Sequence, residues 1–169
     1  MNYVVLFLAD GVLGYFLQSL GYVLSLYAFN RRKADVKTML LAAIILAVIM
    51  FGIRQISVIS FGYHTVLIII SDILLSVVLL KTSTFYTVLS ALTTTMSILI
   101  LELINLKVLN FIIGHDIIML ILNSNGNISS RIYKSLLGAP TNVVLVLVMF
   151  VFYKLNIKRK KGMLNGVVE

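Results

Sequence analysis

From residue 3 to residue 155 the chain is a succession of long apolar runs, separated by short polar or basic segments. A run of about 20 apolar residues, rising 1.5 Å each, matches the roughly 30 Å hydrocarbon core of a bilayer. In lipid every backbone N–H and C=O must be satisfied internally, so such runs fold as helices and pack as a bundle. Composition agrees: 60% of the 169 residues are hydrophobic and 12% charged, against about 45–50% and 25% in a soluble domain. The reading is an all-α integral membrane protein, a bundle of five or six transmembrane helices with a short interfacial helix. One domain is expected over 1–161, followed by a short cytoplasmic tail over 162–169.

Five runs are clear. The first helix is expected over Tyr3–Phe29. Its start, MNYVVLFLAD, lacks the basic n-region of a signal peptide and reads as a permanent helix. Asp10, Gly14, Gln18, Gly21 and Ser25 recur in it at helical spacing, which puts them on one face. Small residues let helices approach closely in lipid; Asp10 is the member that packing does not explain. The second helix is expected over Thr38–Val58, with Ala43, Ala47, Met50 and Arg54 on one face. A chargeless turn over Ser57–Gly62, around Ser60 and Gly62, leads to a third helix at Tyr63–Leu80, which carries His64, Ile68 and Asp72 in a column. The fourth helix, Phe85–Asn105, has a hydroxylated face of Thr87, Ser90, Thr94 and Ser97, nearly in line with Glu102. The last helix is expected over Pro140–Leu155, with Pro140 in its first turn, where proline is well placed.

Residues Leu106–Leu122 are ambiguous. The apolar stretch Val108–Leu122 is broken by Gly114, His115 and Asp116, is short for a span, and reads either as a sixth crossing or as an interfacial segment. NSNGNISSR then reads as a polar loop around Gly126.

Basic residues arbitrate. With five spans and the amino terminus outside, ten of the fourteen Lys and Arg lie inside: Arg31, Arg32, Lys33, Lys37, Lys81, Lys154, Lys158, Arg159, Lys160 and Lys161. Only Lys107, Arg131 and Lys134 lie outside, and Arg54 falls within the membrane. A sixth span would move the basic tail to the side opposite the Arg31–Lys37 loop. The positive-inside rule therefore favours five spans in a cell membrane, with a cytoplasmic carboxyl terminus. The net charge of +8 is then an orientation signal, not a nucleic-acid patch. Lys158, Arg159, Lys160 and Lys161 are expected to meet anionic inner-leaflet lipid.

Intramembrane charges usually face a protein interior or a water-filled cavity, because exposing them to lipid costs several kcal/mol. Depth along each helix, at 1.5 Å per residue, puts Arg54 about 6 Å, Glu102 about 5 Å and Asp10 about 10 Å below the outer surface, with His64 at the rim. Arg54 is expected to pair with Glu102, or failing that with Asp10, in a polar pocket open to the outside. Such a pocket would suit a small ligand, an ion or a peptide. Asp72 lies about 14 Å deep, without a cationic partner at its level, and is either neutral or bound to a cation. No enzymatic constellation is present: the two histidines and the carboxylates lack metal-motif spacing, there is no Gly-rich phosphate loop, and there is no cysteine. No metal, cofactor or catalytic residue is expected.

The stretches GIRQISVISFGYHTVLIII and ILILELINLKVLNFIIG resemble the membrane-embedded input region of Firmicutes multi-span sensor histidine kinases whose ATPase half is of the GHKL class. The resemblance covers roughly residues 37–153 and is carried by Arg54, the FGYHT stretch at Phe61–Thr65 and the LELIN stretch at Leu101–Asn105. It implies a cytoplasmic carboxyl terminus, homodimerisation and a histidine kinase as partner. Only GMLNGVVE follows Lys161, which leaves no phosphoacceptor helix or ATP site, so no kinase residue carries over. The expectation is a standalone relative, a partner subunit or a truncated form. The function expected is a non-enzymatic membrane sensor or accessory module that relays a signal to a cytoplasmic or membrane partner. The rivals are a substrate-binding membrane subunit of a small-molecule importer and a structural subunit of a membrane complex.

Overall fold

The structure is a computed structural model and describes residues 2–56, 61–124 and 128–165, with side chains placed for 3–56, 63–124 and 128–159. Every regular element among the described residues is helical. The first rod comprises α1 (Asn2–Leu6), a π-helical segment (Phe7–Phe16) and α2 (Leu17–Phe29). After it come α3 (Val36–Gln55), α4 (Phe61–Leu79), α5 (Thr84–Ile113), α6 (His115–Asn123) and α7 (Ile128–Asn165). Four helices, Tyr3–Phe29, Val36–Gln55, Thr84–Ile113 and Ile128–Arg159, are long and apolar enough to cross a membrane. Tyr63–Leu79 is a shorter apolar helix beside them.

The bundle is built around α2. From Gln18 to Ala28 all of its residues but Leu20 are buried, against α3, α5 and α7. Its small and polar residues decide how near each neighbour comes. A Cβ at Gly21 would stand 2.6 Å from Leu145 Cδ2 of α7, so only glycine admits that helix so closely. Ser90 Oγ of α5 donates to Ser25 Oγ at 2.9 Å, and Tyr22 Oη lies 2.8 Å from Thr95 Oγ1. Ser19 donates to the Tyr15 carbonyl at 2.8 Å and reaches Met50 Sδ of α3 at 3.4 Å. The residues expected to form one packing face therefore serve several partners, because the helix is enclosed on most sides.

One end of the bundle is tied together by backbone-directed bonds. Arg32 donates to the Leu80 and Lys81 carbonyls at 2.7 and 3.3 Å. Ser83 N–H donates to Asn30 Oδ1 at 3.2 Å, and Ala34 N–H to Tyr153 Oη at 3.0 Å. Asp35 caps α3 by accepting from Thr38 N–H at 3.1 Å and Thr38 Oγ1–H at 2.6 Å. These two hydrogen bonds hold its carboxyl below the usual range. The ties gather the Arg31–Lys37 loop, Lys81 and Lys154 at one end.

The structure corrects several expected boundaries. The turn over Ser57–Gly62 lies largely outside the described residues, and Gly62 is within α4. The fourth helix does not stop at Asn105: α5 runs through 30 residues to Ile113. Val108–Leu122 is not one helix, because Gly114 takes φ +96° and ends α5 there. Beyond that glycine, α6 has nine residues, or about 14 Å, too short to cross. The loop NSNGNISSR is shorter than expected; residues 125–127 of it are outside the description, and Ile128 already begins α7. Pro140 is accordingly inside a helix and not in its first turn. A proline there removes one helical bond and crowds the carbonyl four residues back. Asn105 Nδ2 of α5 donates to the adjacent Leu137 carbonyl at 2.7 Å, which satisfies the disturbed turn from a neighbouring helix. Finally, α7 continues to Asn165, past the expected end of the bundle at 161.

Candidate ligand cavity

At the end opposite the Arg32 and Asp35 ties, the first rod winds as a π-helix for ten residues, Phe7–Phe16. Leu17 N–H there reaches back five residues to the Val12 carbonyl and also to Gly14 O. Such winding is rare and leaves carbonyls poorly served. Asn142 Nδ2 of α7 supplies the missing donor, at 2.9 Å from Leu13 O and 3.1 Å from Gly14 O. One turn earlier, Asp10 accepts from Arg131 Nη2 at 2.8 Å and from Ser135 Oγ at 2.9 Å. Arg131, Ser135, Gly138 and Asn142 thus form one polar stripe of α7 facing the π segment.

This stripe is one wall of a cavity of about 440 Å³, lined also by Gln18, Arg54 and Glu102. A second lobe of about 360 Å³ shares Gln18, Arg54 and Glu102 and adds Tyr22, His64 and Thr95. Arg54 is fixed between the lobes: Nη2 donates to Gln18 Oε1 at 3.3 Å, and Cζ lies 5.2 Å from the Tyr15 ring centroid. Tyr15 is itself braced edge-on by Phe51, with ring centroids 5.8 Å apart. The cation–π contact and the amide bond orient the guanidinium without neutralising it.

The expected ion pairs of Arg54 are not formed. Asp10 is engaged by Arg131, and Arg54 and Glu102 make no ion pair with each other, although both line both lobes. The reason is the extra length of α7 at its start, which brings Arg131 and Ser135 to Asp10 before Arg54 reaches it. His64 lies on the second lobe, with Nε2 3.3 Å from the Ile56 carbonyl. The first lobe is lined by Arg54, Arg131 and Lys134 against Asp10 and Glu102. With the Asp10–Arg131 pair set aside, it offers two cations and one carboxylate to a ligand.

Asp72 is not part of this cavity. It is fully buried in α4, and neither carboxylate oxygen has a hydrogen-bond partner. Lys158 and Arg159 are exposed on the last turns of α7, while the Lys160 and Lys161 side chains lie outside the description. Among the described residues no group of three or more His, Asp or Glu is placed to hold a metal ion.

Sequence reasoning missed Arg131, Ser135, Asn142 and Asn105. The first three recur with Gly138 at spacings of four, three and four, a helical face hidden by reading this segment as a loop followed by a proline start. No family model matches the chain, and neither a curated protein nor a solved structure shows significant similarity to it.

Proposed function

We propose that the chain is a non-enzymatic membrane sensor or accessory module that binds a small zwitterionic or anionic ligand in the two-lobed cavity and relays the event to a partner through α7. The observation that carries the reading is Arg54. It is oriented by Gln18 and Tyr15, left without a carboxylate, and placed across the same space from Glu102. A carboxylate of the ligand would meet Arg54 in charge-assisted bonds, and an ammonium would meet Glu102. Relay follows from length: α7 has 38 residues, about 57 Å at 1.5 Å each. It runs without a break from the Asp10 contact to Lys158 and Arg159.

The topology belonging to this reading has α4 as a fifth crossing, α6 lying along the interface, the amino terminus outside and the carboxyl terminus in the cytoplasm. Its support is that Arg31–Lys37, Lys81 and Lys154 share one end, where positive-inside bias puts the cytoplasm. Lys158–Lys161 would then meet anionic lipid. Homodimerisation and a histidine kinase partner complete it on the strength of the resemblance to kinase input regions.

Thermal unfolding of the purified protein against a panel of amino acids, dipeptides and small carboxylates tests the binding. A stabilising compound whose effect disappears in both Arg54→Gln and Glu102→Gln is expected. Stabilisation unchanged in both variants would sink the cavity reading. Accumulation of that compound in reconstituted vesicles would favour the importer subunit instead. For topology, Lys33→Cys should resist an impermeant thiol reagent in intact cells and Asn123→Cys should react; the reverse pattern would invert the orientation.

A further inference from the structure

The middle of the bundle contains a polar cluster that the ligand cavity does not use. Asp72 and Ser76, one turn apart on α4, are both completely buried. Neither Asp72 oxygen nor Ser76 Oγ has a hydrogen-bond partner. Unpartnered buried polar atoms are rare in folded proteins, and each calls for an explanation. Here the atoms include a carboxylate, the costliest group to leave alone in lipid.

The described surroundings supply no cation from the protein. Burial and Ser76 are what act on Asp72, and no Lys, Arg or His charge does so. Depth puts Asp72 beside hydroxyls. It lies seven residues before the end of α4 at Leu79, and seven residues into α5 from Thr84 is Ala91, between Ser90 and Thr94. The two helices are antiparallel neighbours, closed at this end by Thr82, which bonds to the Ser76 carbonyl at 3.0 Å and to Thr87 Oγ1 at 2.9 Å. Thr87, Ser90 and Thr94 are all completely buried, as is Ser25 of α2 at the same level, bonded to Ser90.

The direction of these bonds decides what the cluster prefers. Thr87 gives its proton to Ser83 O, Thr94 to Ser90 O, and Thr95 to Ala91 O, while Ser90 gives its own to Ser25 Oγ. The α5 hydroxyls at this level therefore turn lone pairs, not protons, towards their free side. A carboxylate among lone pairs has the wrong neighbours for an anion and the right ones for a hard cation, which takes oxygen ligands. One carboxylate offers a single negative charge, and no other carboxylate among the described residues acts on it. That matches a monovalent ion and not a divalent one.

We propose that Asp72 and Ser76, with the hydroxyl column of α5, hold one small monovalent cation of the sodium class in the middle of the bundle. Asp72 and Ser76 line neither lobe of the ligand cavity, so the site stands or falls apart from that reading.

The test is thermal unfolding of the purified full chain in detergent at constant pH, in sodium chloride or in choline chloride of equal ionic strength. A ligand that binds the folded state alone raises the unfolding temperature with its concentration. Wild type is expected to unfold at a temperature that climbs steadily with each decade of sodium and to lack that climb in choline. Asp72→Asn keeps the shape, removes the charge and is expected to unfold at the same temperature in both salts. Ser76→Ala keeps the carboxylate and is expected to need several-fold more sodium for the same shift, so it decides the matter if Asp72→Asn does not fold. A wild type indifferent to sodium would overturn the proposal, including one that responds to pH alone, since Asp72 would then be a neutral acid. Sodium dependence that persists in Asp72→Asn, or is undiminished in Ser76→Ala, would overturn it equally.

Discussion

Gly21 of α2 lies against Leu145 of α7, with 2.6 Å left between the position of a glycine Cβ and Leu145 Cδ2 and 2.9 Å to Cγ. Leu145 is completely buried. Gly21→Val is therefore expected to destabilise the bundle by about 1–3 kcal/mol, the usual cost of overpacking. Gly52 of α3 has nothing within 4 Å of its Cβ position, so Gly52→Ala is expected to be neutral or to gain up to about 1 kcal/mol from helix propensity. Thermal unfolding in detergent checks both, and equal effects at the two glycines would contradict the packing.

The Asp10–Arg131 pair is partly exposed, with side-chain accessibilities of 17% and 43%. Its coupling should lie between the values for surface and buried pairs, at about 1–2 kcal/mol. A double-mutant cycle with Asp10→Asn and Arg131→Gln measures it. Additive losses would show that the two do not act together.

Arg54 and Glu102 make the opposite forecast for stability. They share both cavity lobes without an ion pair, so Arg54→Gln and Glu102→Gln should be additive within about 0.5 kcal/mol. Each single variant should nevertheless abolish the response to a stabilising ligand. Strong coupling in the absence of ligand would restore the pair expected from depth alone.

Asn105 and Pro140 act on the same turn of α7. Asn105→Ala leaves the Leu137 carbonyl without its side-chain donor and should cost about 1–3 kcal/mol. Part of that loss should vanish in a Pro140→Ala background, where removing the ring's crowding lets Thr141 N–H close on the Leu137 carbonyl. An identical cost in both backgrounds would separate the two residues.

Asp35 is fully exposed, and its carboxyl is held below the ordinary value of 3.8 by the two bonds from Thr38. A depressed acid contributes its stabilisation above the unfolded-state value and loses it as pH falls through the folded one. The cap of α3 should therefore persist at neutral pH and weaken only below the ordinary carboxylate range. Side-chain titration by NMR should find Asp35 lower in wild type than in Thr38→Val, where the hydroxyl donor is gone. Equal values would remove the hydroxyl as a cause.

The apolar runs make helices legible because a long apolar segment satisfies its own backbone best as a helix, and the grouping of Asp10, Arg54 and Glu102 near one end is legible from depth along each run. Their partners are not. Helical depth says how far along a rod a charge lies and nothing about which neighbour faces it, so depth offers Arg54 to Glu102 first and to Asp10 second, when Asp10 meets Arg131 and Arg54 pairs with neither. Arg131 is hidden because Asn, Ser and Gly at residues 123–130 signal a turn by their local preferences. Packing of α7 against the first rod overrides those preferences from Ile128 onward. Pro140 misleads for a related reason: it favours a first turn, but Asn105 makes an interior position tolerable. The π segment has no sequence signature here, and helical-wheel reasoning assumes α spacing throughout it.

That segment also determines how the first helix will answer to a systematic mutational scan. With bonds spanning five residues, each turn of Phe7–Phe16 holds more residues than a turn of Leu17–Phe29. Sensitivity to substitution should therefore recur at a longer period before Phe16 and contract to the ordinary α period after it. Rewinding the segment as an α-helix at unchanged length would turn Asp10 relative to Gln18, because each residue of an α-helix subtends about 100° and each residue of a wider turn subtends less. Two faces of one rod, one addressed to Arg131 and the other to Arg54, stay in phase only while that wide winding is retained.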